Sequence, residues 1–241
     1  MTLPYDIPIA KPELLMNQNM LHCFTQRDLC VHALANDLLT QVNATLHEQP
    51  RAGLILPGGS SPQALLPLLA QGLDGARVDV TPSDERWVPA YAANSNWRLL
   101  SDGLPLTTCM DPRQGLTQTQ AAQNWGAKLL QWPPFSAVLL GMGDDGHIAS
   151  LFPGMPGLDA ALDPDARPEG LSALAPQEPR ERLSLNLAML QRGQWLGLLA
   201  FGANKRDLIE AVQKDQPGAR ELPLYAWLQR SPRPVNIYWA P

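Results

Sequence analysis

Hydrophobic residues along this chain fall into short continuous runs, separated by stretches in which they recur every three or four positions. The runs lie at 53–56, 78–81, 137–141, 183–187, 196–201 and 235–239. Short apolar runs of this kind predict strands buried on both faces of a sheet. Between them, residues 28–47 place Leu29, Ala33, Leu38, Leu39, Val42 and Leu46 at helical spacing. Residues 62–71 predict a short helix with Pro62 at a favourable first position, and 96–103, 119–131 and 204–213 also read as helices. Strands alternating with helices predict an α/β fold in which helices cover both faces of a mostly parallel central sheet. No repeat, charge run or linker interrupts the 241 residues, so one domain over 1–241 is expected. The Pro-rich segment 153–179 reads as a long excursion, of the sort that often forms a functional wall or lid.

Composition narrows the setting. A hydrophobic content of 45% with 17% charged residues is ordinary for a soluble protein. Three cysteines, Cys23, Cys30 and Cys109, are odd in number and lack metal-ligand spacing, which fits a reducing cytoplasm. The start, MTLPYDIPIAKPELL, has no basic region followed by an apolar one, so no signal peptide is expected. No apolar run approaches the length of about 18 residues that a membrane span needs. A net charge of −5 disfavours nucleic acid, whose phosphates need a basic face. A small anion remains open if a few Arg and Lys residues converge. The four histidines, at 22, 32, 47 and 147, are scattered, and neither a metal nor a cofactor is expected.

The chemistry concentrates after the run at 137–141, in LLGMGDDGHIASLFPG (139–154). A strand that breaks into Gly, Asp and His puts backbone N–H groups, a base and an orienting acid at one strand end, where open α/β sheets bind ligands. Histidine is the residue type most suited to acid–base work at physiological pH, which makes His147 the candidate base. Gly141, Gly143 and Gly146 also spell G-x-G-x-x-G. A dinucleotide fingerprint needs a long helix next and an acidic residue at the end of the following strand. Pro153, Gly154, Pro156 and Gly157 leave room for little more than one helical turn, and the later acids end no strand.

Three further segments carry candidate ligands. In LILPGGSSP, Gly58 and Gly59 allow close backbone approach, and Ser60 and Ser61 lead into a helix whose first N–H groups attract an anion. This is not a Walker loop, since no Lys-Ser or Lys-Thr pair follows. In VTPSDERWVP, Asp84, Glu85 and Arg86 follow a strand, where they either bind sugar hydroxyls or form a solvated turn. Arg182 and Lys205 supply a planar fork and a compact charge for phosphate oxygens, provided the sheet brings them near Ser60 and Ser61.

Taken in order, PGGSSP, SDERWVP with Ser95-Asn96, GMGDDGHIASLFPG, RLSLNL and GANK resemble the 6-phosphogluconolactonase family from about residue 53 to 206. That family shares a superfamily of Rossmann-like α/β/α proteins with the glucosamine-6-phosphate isomerase/deaminases. The resemblance implies hydrolysis of 6-phospho-D-glucono-1,5-lactone to 6-phospho-D-gluconate in the oxidative pentose phosphate pathway. It implies that Ser60, Ser61, Arg182 and Lys205 hold the phosphate, beside the substrate-binding turn at Gly58 and Gly59 read above. His147 would activate water with Asp145 nearby, and Asp84 and Arg86 would line the sugar pocket. Deaminases carry a glutamate five residues after the histidine; here that position is Phe152, which relays no proton. Ser61 stands where threonine is frequent in the family and keeps the hydroxyl. A sugar-phosphate sensor is the non-catalytic alternative, but the residues before 53 show no basic recognition helix. Backbone N–H groups of 141–146 and Arg86 are both candidates for holding the oxyanion. Ser60 as nucleophile is disfavoured because PGGSSP lacks the G-x-S-x-G elbow. The expected partner is the small lactone alone, with the chain a monomer or small homo-oligomer.

Overall fold

The apolar runs become strands, and those strands sort into two sheets. The computed structural model describes residues 13–14 and 19–241. Most of the stretch read for a signal peptide lies outside them. Along the chain come β1 (Glu13–Leu14), β2 (Met20–Cys23), α1 (Arg27–Glu48), β3 (Ala52–Leu56), α2 (Leu66–Gly72), β4 (Val78–Pro82) and β5 (Asp84–Arg86). Next are α3 (Asn96–Gly103), β6 (Thr108–Cys109), α4 (Gln118–Leu129), β7 (Ala137–Gly141), α5 (Leu158–Ala161), β8 (Gly170–Leu174) and β9 (Glu181–Leu185). The chain closes with α6 (Leu187–Leu190), β10 (Trp195–Phe201), α7 (Ala203–Gln213), α8 (Pro223–Arg230) and β11 (Val235–Ala240).

The large sheet has eight strands in the order β1-β2-β11-β10-β7-β3-β4-β6. Its pairings are parallel except for β1 with β2. Strand side chains alternate between faces, and the two hydrophobic clusters follow that alternation. Val138 and Leu140 of β7 join one cluster with Trp125 of α4, Ile209 of α7 and Trp227 of α8. Ala137 and Leu139 join the other, with Leu34 and Leu38 of α1, Leu69 of α2 and Leu100 of α3. The result is three layers, helices on both faces of a mostly parallel sheet. Fully burying a side chain of the Leu or Ile class contributes about 1.5–3 kcal/mol, so these two clusters hold the layers together. Trp125 is buried with its one polar atom satisfied, Nε1 donating to Thr81 Oγ1 at 2.9 Å.

The small sheet is antiparallel, in the order β5-β9-β8. Here the structure corrects the expectation that 183–187 belongs to the main sheet. In β9 the buried Leu183 and Leu185 alternate with Arg182 and Ser184, the period-two pattern of a strand with one apolar face. The excursion 153–179 holds α5 and β8, and β8 packs against α4. The segment foreseen as one helix over 62–71 is a 3₁₀ turn at Ser61–Ala64 followed by α2. After β7 no long helix follows; the next helix, α5, has four residues, so the dinucleotide geometry is absent there. Among the described residues no helix is long and apolar enough to cross a membrane.

Connectivity fixes where a ligand can sit. From β3 the chain winds outward to β4 and β6, whereas from β7 it winds the other way, to β10 and β11. The loops leaving β3 and β7 therefore diverge and open a crevice at the carboxyl ends of the strands.

Candidate active site

A cleft of ≈ 260 Å³ occupies that crevice. Its walls come from Gly58–Pro62 after β3, from Ser83, Asp84 and Arg86 around β5, and from Gly141, Gly143 and His147 after β7; Asn96 of α3 and Lys205 of α7 complete it. An outer compartment of ≈ 450 Å³ adjoins it, sharing Asp84, Arg86, His147 and Ala149 and adding Asp145, Phe152, Glu178 and Arg182.

The loop after β7 is tightly folded. Gly143 N donates to His147 O at 3.0 Å and Gly146 N to Gly143 O at 3.1 Å, and isolated bridges join Met142 to Ile148 and Ile148 to Leu151. This brings His147 Nδ1 to 2.5 Å from Asp145 Oδ1. An ionised carboxylate only accepts, so in the neutral imidazole this contact selects the tautomer with the proton on Nδ1 and the lone pair on Nε2. The backbone N of His147 donates to the same Oδ1 at 3.2 Å. A Cβ on residue 143 would lie 2.2 Å from His147 Nδ1 and 2.5 Å from Asp145 Oδ1, so glycine there is what lets the pair fold back on its own backbone. Behind the imidazole stands the Phe152 ring, centroids 4.6 Å apart. Leu224 N donates to Gly146 O at 3.0 Å, tying the loop to the start of α8.

Strand β5 divides the Asp-Glu-Arg triplet by alternation. Asp84 and Arg86 face the cleft, and their register partners on β9 are Ser184 and Arg182, so all four share one face of the small sheet. Glu85 points the other way and is fully buried. Its Oε1 accepts from Arg86 N and Asn96 N, both at 2.8 Å, and its Oε2 from Trp97 N at 2.7 Å and Ser95 Oγ at 3.1 Å. The carboxyl thus caps the N-terminus of α3, where an acid is favourable, alongside Ser95, the residue at the N-cap itself. Burial raises the Glu85 carboxyl above the usual carboxylate range, and the backbone N–H groups of Trp97 and Asn96 and the Arg113 guanidinium pull it down only in part.

Glu85 sets Asn96, and Asn96 sets Arg86. Asn96 is buried, with Nδ2 donating to Asp84 O at 2.7 Å and Oδ1 accepting from Arg86 Nη1 at 2.6 Å. A Cβ on residue 58 would meet Asn96 Oδ1 at 1.8 Å, so Gly58 makes room for this carboxamide. Asp84, 9% exposed, accepts from Ser83 Oγ at 3.0 Å on Oδ1 and from Ser150 Oγ at 2.6 Å on Oδ2. The sequence reading passed over Asn96, except as a helix start, and Ser150 and Ser184 altogether. Ser95-Asn96 carried a capping signal, but no local signal marks a serine whose partner is 66 residues away in the chain.

Other groups lining the cleft are unengaged among the described residues. Ser60 and Ser61, which open the 3₁₀ turn with Pro62, donate no side-chain hydrogen bond to them. Lys205 sits in the first turn of α7, behind Gly202 at its N-cap, and its Nζ has no partner among the described residues. Gly58, Gly59, Ser60, Ser61, Asp84, Arg86, His147 and Lys205 all line this one cleft. Asp145 and Arg182 instead line the outer compartment, so Arg182 does not share the inner cleft with the two serines and Lys205. Its Nε is buried without a hydrogen-bond partner among the described residues. Burial first, and then the Arg86 guanidinium, lower its pKa, and two like charges across a strand pair repel. This pair of guanidiniums is suited to an anionic or electron-rich guest. Among the described residues no group of three or more His, Cys, Asp or Glu is placed to hold a metal ion.

Comparison with known proteins gives the family. The family model for glucosamine-6-phosphate isomerases/6-phosphogluconolactonase matches residues 25–239. A 6-phosphogluconolactonase of Pseudomonas putida is 37% identical over 216 residues, covering 86% of this chain and 87% of that protein. One from Rhizobium meliloti (strain 1021) is 34% identical over 235 residues, covering 94% and 100%. The crystal structure of a 6-phosphogluconolactonase from Shewanella baltica superposes with a TM-score of 0.82 at 26% identity, over 94% of this chain and 100% of that one. With the match spanning nearly every element from α1 to β11, the chain belongs to the glucosamine-6-phosphate isomerase/6-phosphogluconolactonase family.

Proposed function

We propose that this protein hydrolyses 6-phospho-D-glucono-1,5-lactone to 6-phospho-D-gluconate. The observation that carries the reading is the His147–Asp145 pair, with Nδ1 held at 2.5 Å and Phe152, not a carboxylate, against the ring. Opening a sugar ring for deamination needs a further proton relay, which a phenyl group does not supply. The names of the relatives point the same way.

In this mechanism Nε2 of His147 takes a proton as water oxygen bonds to C1, and Asp145 stabilises the imidazolium. The oxyanion falls to the N–H groups of Arg86 other than Nη1, which Asn94 O and Asn96 already hold. Collapse breaks the bond from C1 to the ring oxygen, and the imidazolium returns its proton to that oxygen. One water is consumed and no covalent intermediate forms. Ser60, Ser61 and Lys205 hold the phosphate, whose binding energy positions the distant carbonyl. Asp84 accepts a ring hydroxyl. We place the reaction in a reducing cytoplasm, consistent with Cys23, Cys30 and Cys109 all being free.

The test is a coupled assay. Glucose 6-phosphate is oxidised to the lactone, and 6-phosphogluconate dehydrogenase reports the acid as it forms. Turnover well above spontaneous hydrolysis is expected, with a loss on the order of 10²–10⁴-fold in His147→Ala and little change in 6-phosphogluconate affinity. Turnover that survives His147→Ala removes the histidine from the chemistry. No turnover by folded wild-type protein removes the lactonase reading.

A further inference from the structure

Asp84 is held from behind by a hydroxyl that belongs to the histidine loop. Ser150 lies three residues after His147 and is 1% exposed. Its Oγ donates to Asp84 Oδ2 at 2.6 Å, and its backbone N donates to Ser184 Oγ on β9 at 3.2 Å. Ser184 is itself fully buried and sits opposite Asp84 in the β5–β9 register. One residue thus spans the loop after β7, the cleft strand β5 and its partner β9.

The residue between His147's turn and this anchor is under strain. Ala149 has φ +48°, the left-handed region that residues with a Cβ seldom adopt and that persists only where the surroundings over-determine it. Its methyl group lines both compartments. Ala149 and Ser150 are the central pair of a turn closed by Leu151 N donating to Ile148 O at 2.9 Å, and the two hydrogen bonds of Ser150 fasten that turn to β5 and β9. Without them the turn keeps its own closure but loses its tie to the small sheet, so the loop that carries His147 shifts on one side while Asp84 loses a donor on the other.

We propose that Ser150 is a positioning residue, which fixes the base loop and the sugar-facing carboxylate relative to one another by acting through Asp84. The inference rests on the lactonase reading. It assigns Ser150 no contact with substrate, so its loss affects the transition state more than the binding of the phosphate end.

The experiment is a double-mutant cycle on lactone turnover with Ser150→Ala and Asp84→Asn, accompanied by 6-phosphogluconate binding and thermal melts. Ser150→Ala is expected to lower kcat by about 10–100-fold, the scale of a displacement of about 1 Å at a reacting group, with product affinity nearly unchanged. On the Asp84→Asn background the same change is expected to cost less than about threefold, since residues in one network are non-additive. Independent losses that multiply, or a kcat kept at the wild-type value with only a lower melting temperature, overturn the proposal and leave Ser150 a packing residue. If Ser150→Ala does not fold, Ser184→Ala releases the other anchor, the bond from the Ser150 backbone N, and non-additivity with Asp84→Asn again decides. Wild-type protein that turns over no lactone removes the lactonase reading and this proposal with it; unchanged turnover in the variants of an active enzyme removes this proposal alone.

Discussion

The two loops that meet in the cleft are built on opposite plans. The loop after β3 offers Ser60 and Ser61 with no side-chain hydrogen bond to the described residues. The loop after β7 is fixed at every turn: Gly143 to His147, His147 to Asp145, Gly146 to Leu224 and Ser150 to Asp84. An anion's charge is satisfied by several donors that converge on it, and donors without prior partners adapt at small cost. A proton transfer and an attacking water need fixed angles, so the groups that perform them are held in place before substrate arrives. Binding is left loose and chemistry is made rigid, in loops that leave adjacent strands.

The sharpest way to break this contrast is to disturb the rigid loop without touching its functional groups. Gly143→Ala inserts a methyl group 2.2 Å from the imidazole, and a loss of about 100-fold in kcat is expected with the far-ultraviolet spectrum and product affinity unchanged. A variant with wild-type kcat would mean that the loop adapts as readily as its neighbour. The adaptable end should respond in binding. Lys205→Ala is expected to weaken 6-phosphogluconate by about 10–100-fold, the scale of one charge-assisted hydrogen bond, with kcat kept at saturation. Arg182→Ala, acting from the outer compartment, should lower kcat more than affinity. Equal affinity losses in the two variants would put both cations on the phosphate.

The smallest effect concerns the support behind the rigid side. Burial raises the Glu85 carboxyl above the ordinary value of 4.5, so the folded chain holds this proton at pH values where the unfolded chain has released it. Stability from this source is therefore complete below 4.5 and declines as pH rises from there through the folded value. Glu85→Gln abolishes the decline. The stability of wild type minus variant, followed by denaturant titration across this range, should fall with pH; a difference that rises would give Glu85 a lowered value.

The sequence made the centre of the main sheet legible, β3, β4, β7, β10 and β11, because a mostly buried run such as 137–141 has no other place to go, whereas β1, β2 and β6, short and, in β2 and β6, partly exposed, went unread. The helix at 96–103 was legible through Ser95, whose hydroxyl accepts from Arg98 N as an N-cap should. The small sheet was not. The run GLSAL of β8 lies in a Pro-rich stretch with Ser172 and Leu174 turned outward, and its partner β9 carries Arg and Ser at every other position. Half-buried strands hide among loops when flanking prolines dominate the local signal. For the site, residues on strand ends announced themselves as clusters of Gly, Ser, Asp and His. What escaped was support across the fold: the burial of Glu85 inside a charged triplet, and a serine that reaches Asp84 only once β5 and the loop after β7 come together. Such contacts are products of topology and leave no periodic trace.

One feature of the sheet also bears on how the chain is made. β11 fills the gap between β2 and β10, so a strand made after all the other described strands is the one that joins β2 to the rest. Until it arrives, β2 has its short partner β1 alone, and β10 shows an open edge to its surroundings. α8, which pins the Gly146 turn, likewise follows in chain order the loop that it holds. A chain folded up to β10 that has not yet added β11 therefore exposes two strand edges ready to pair with another chain, and deletion of β11 creates an aggregation hazard by that route.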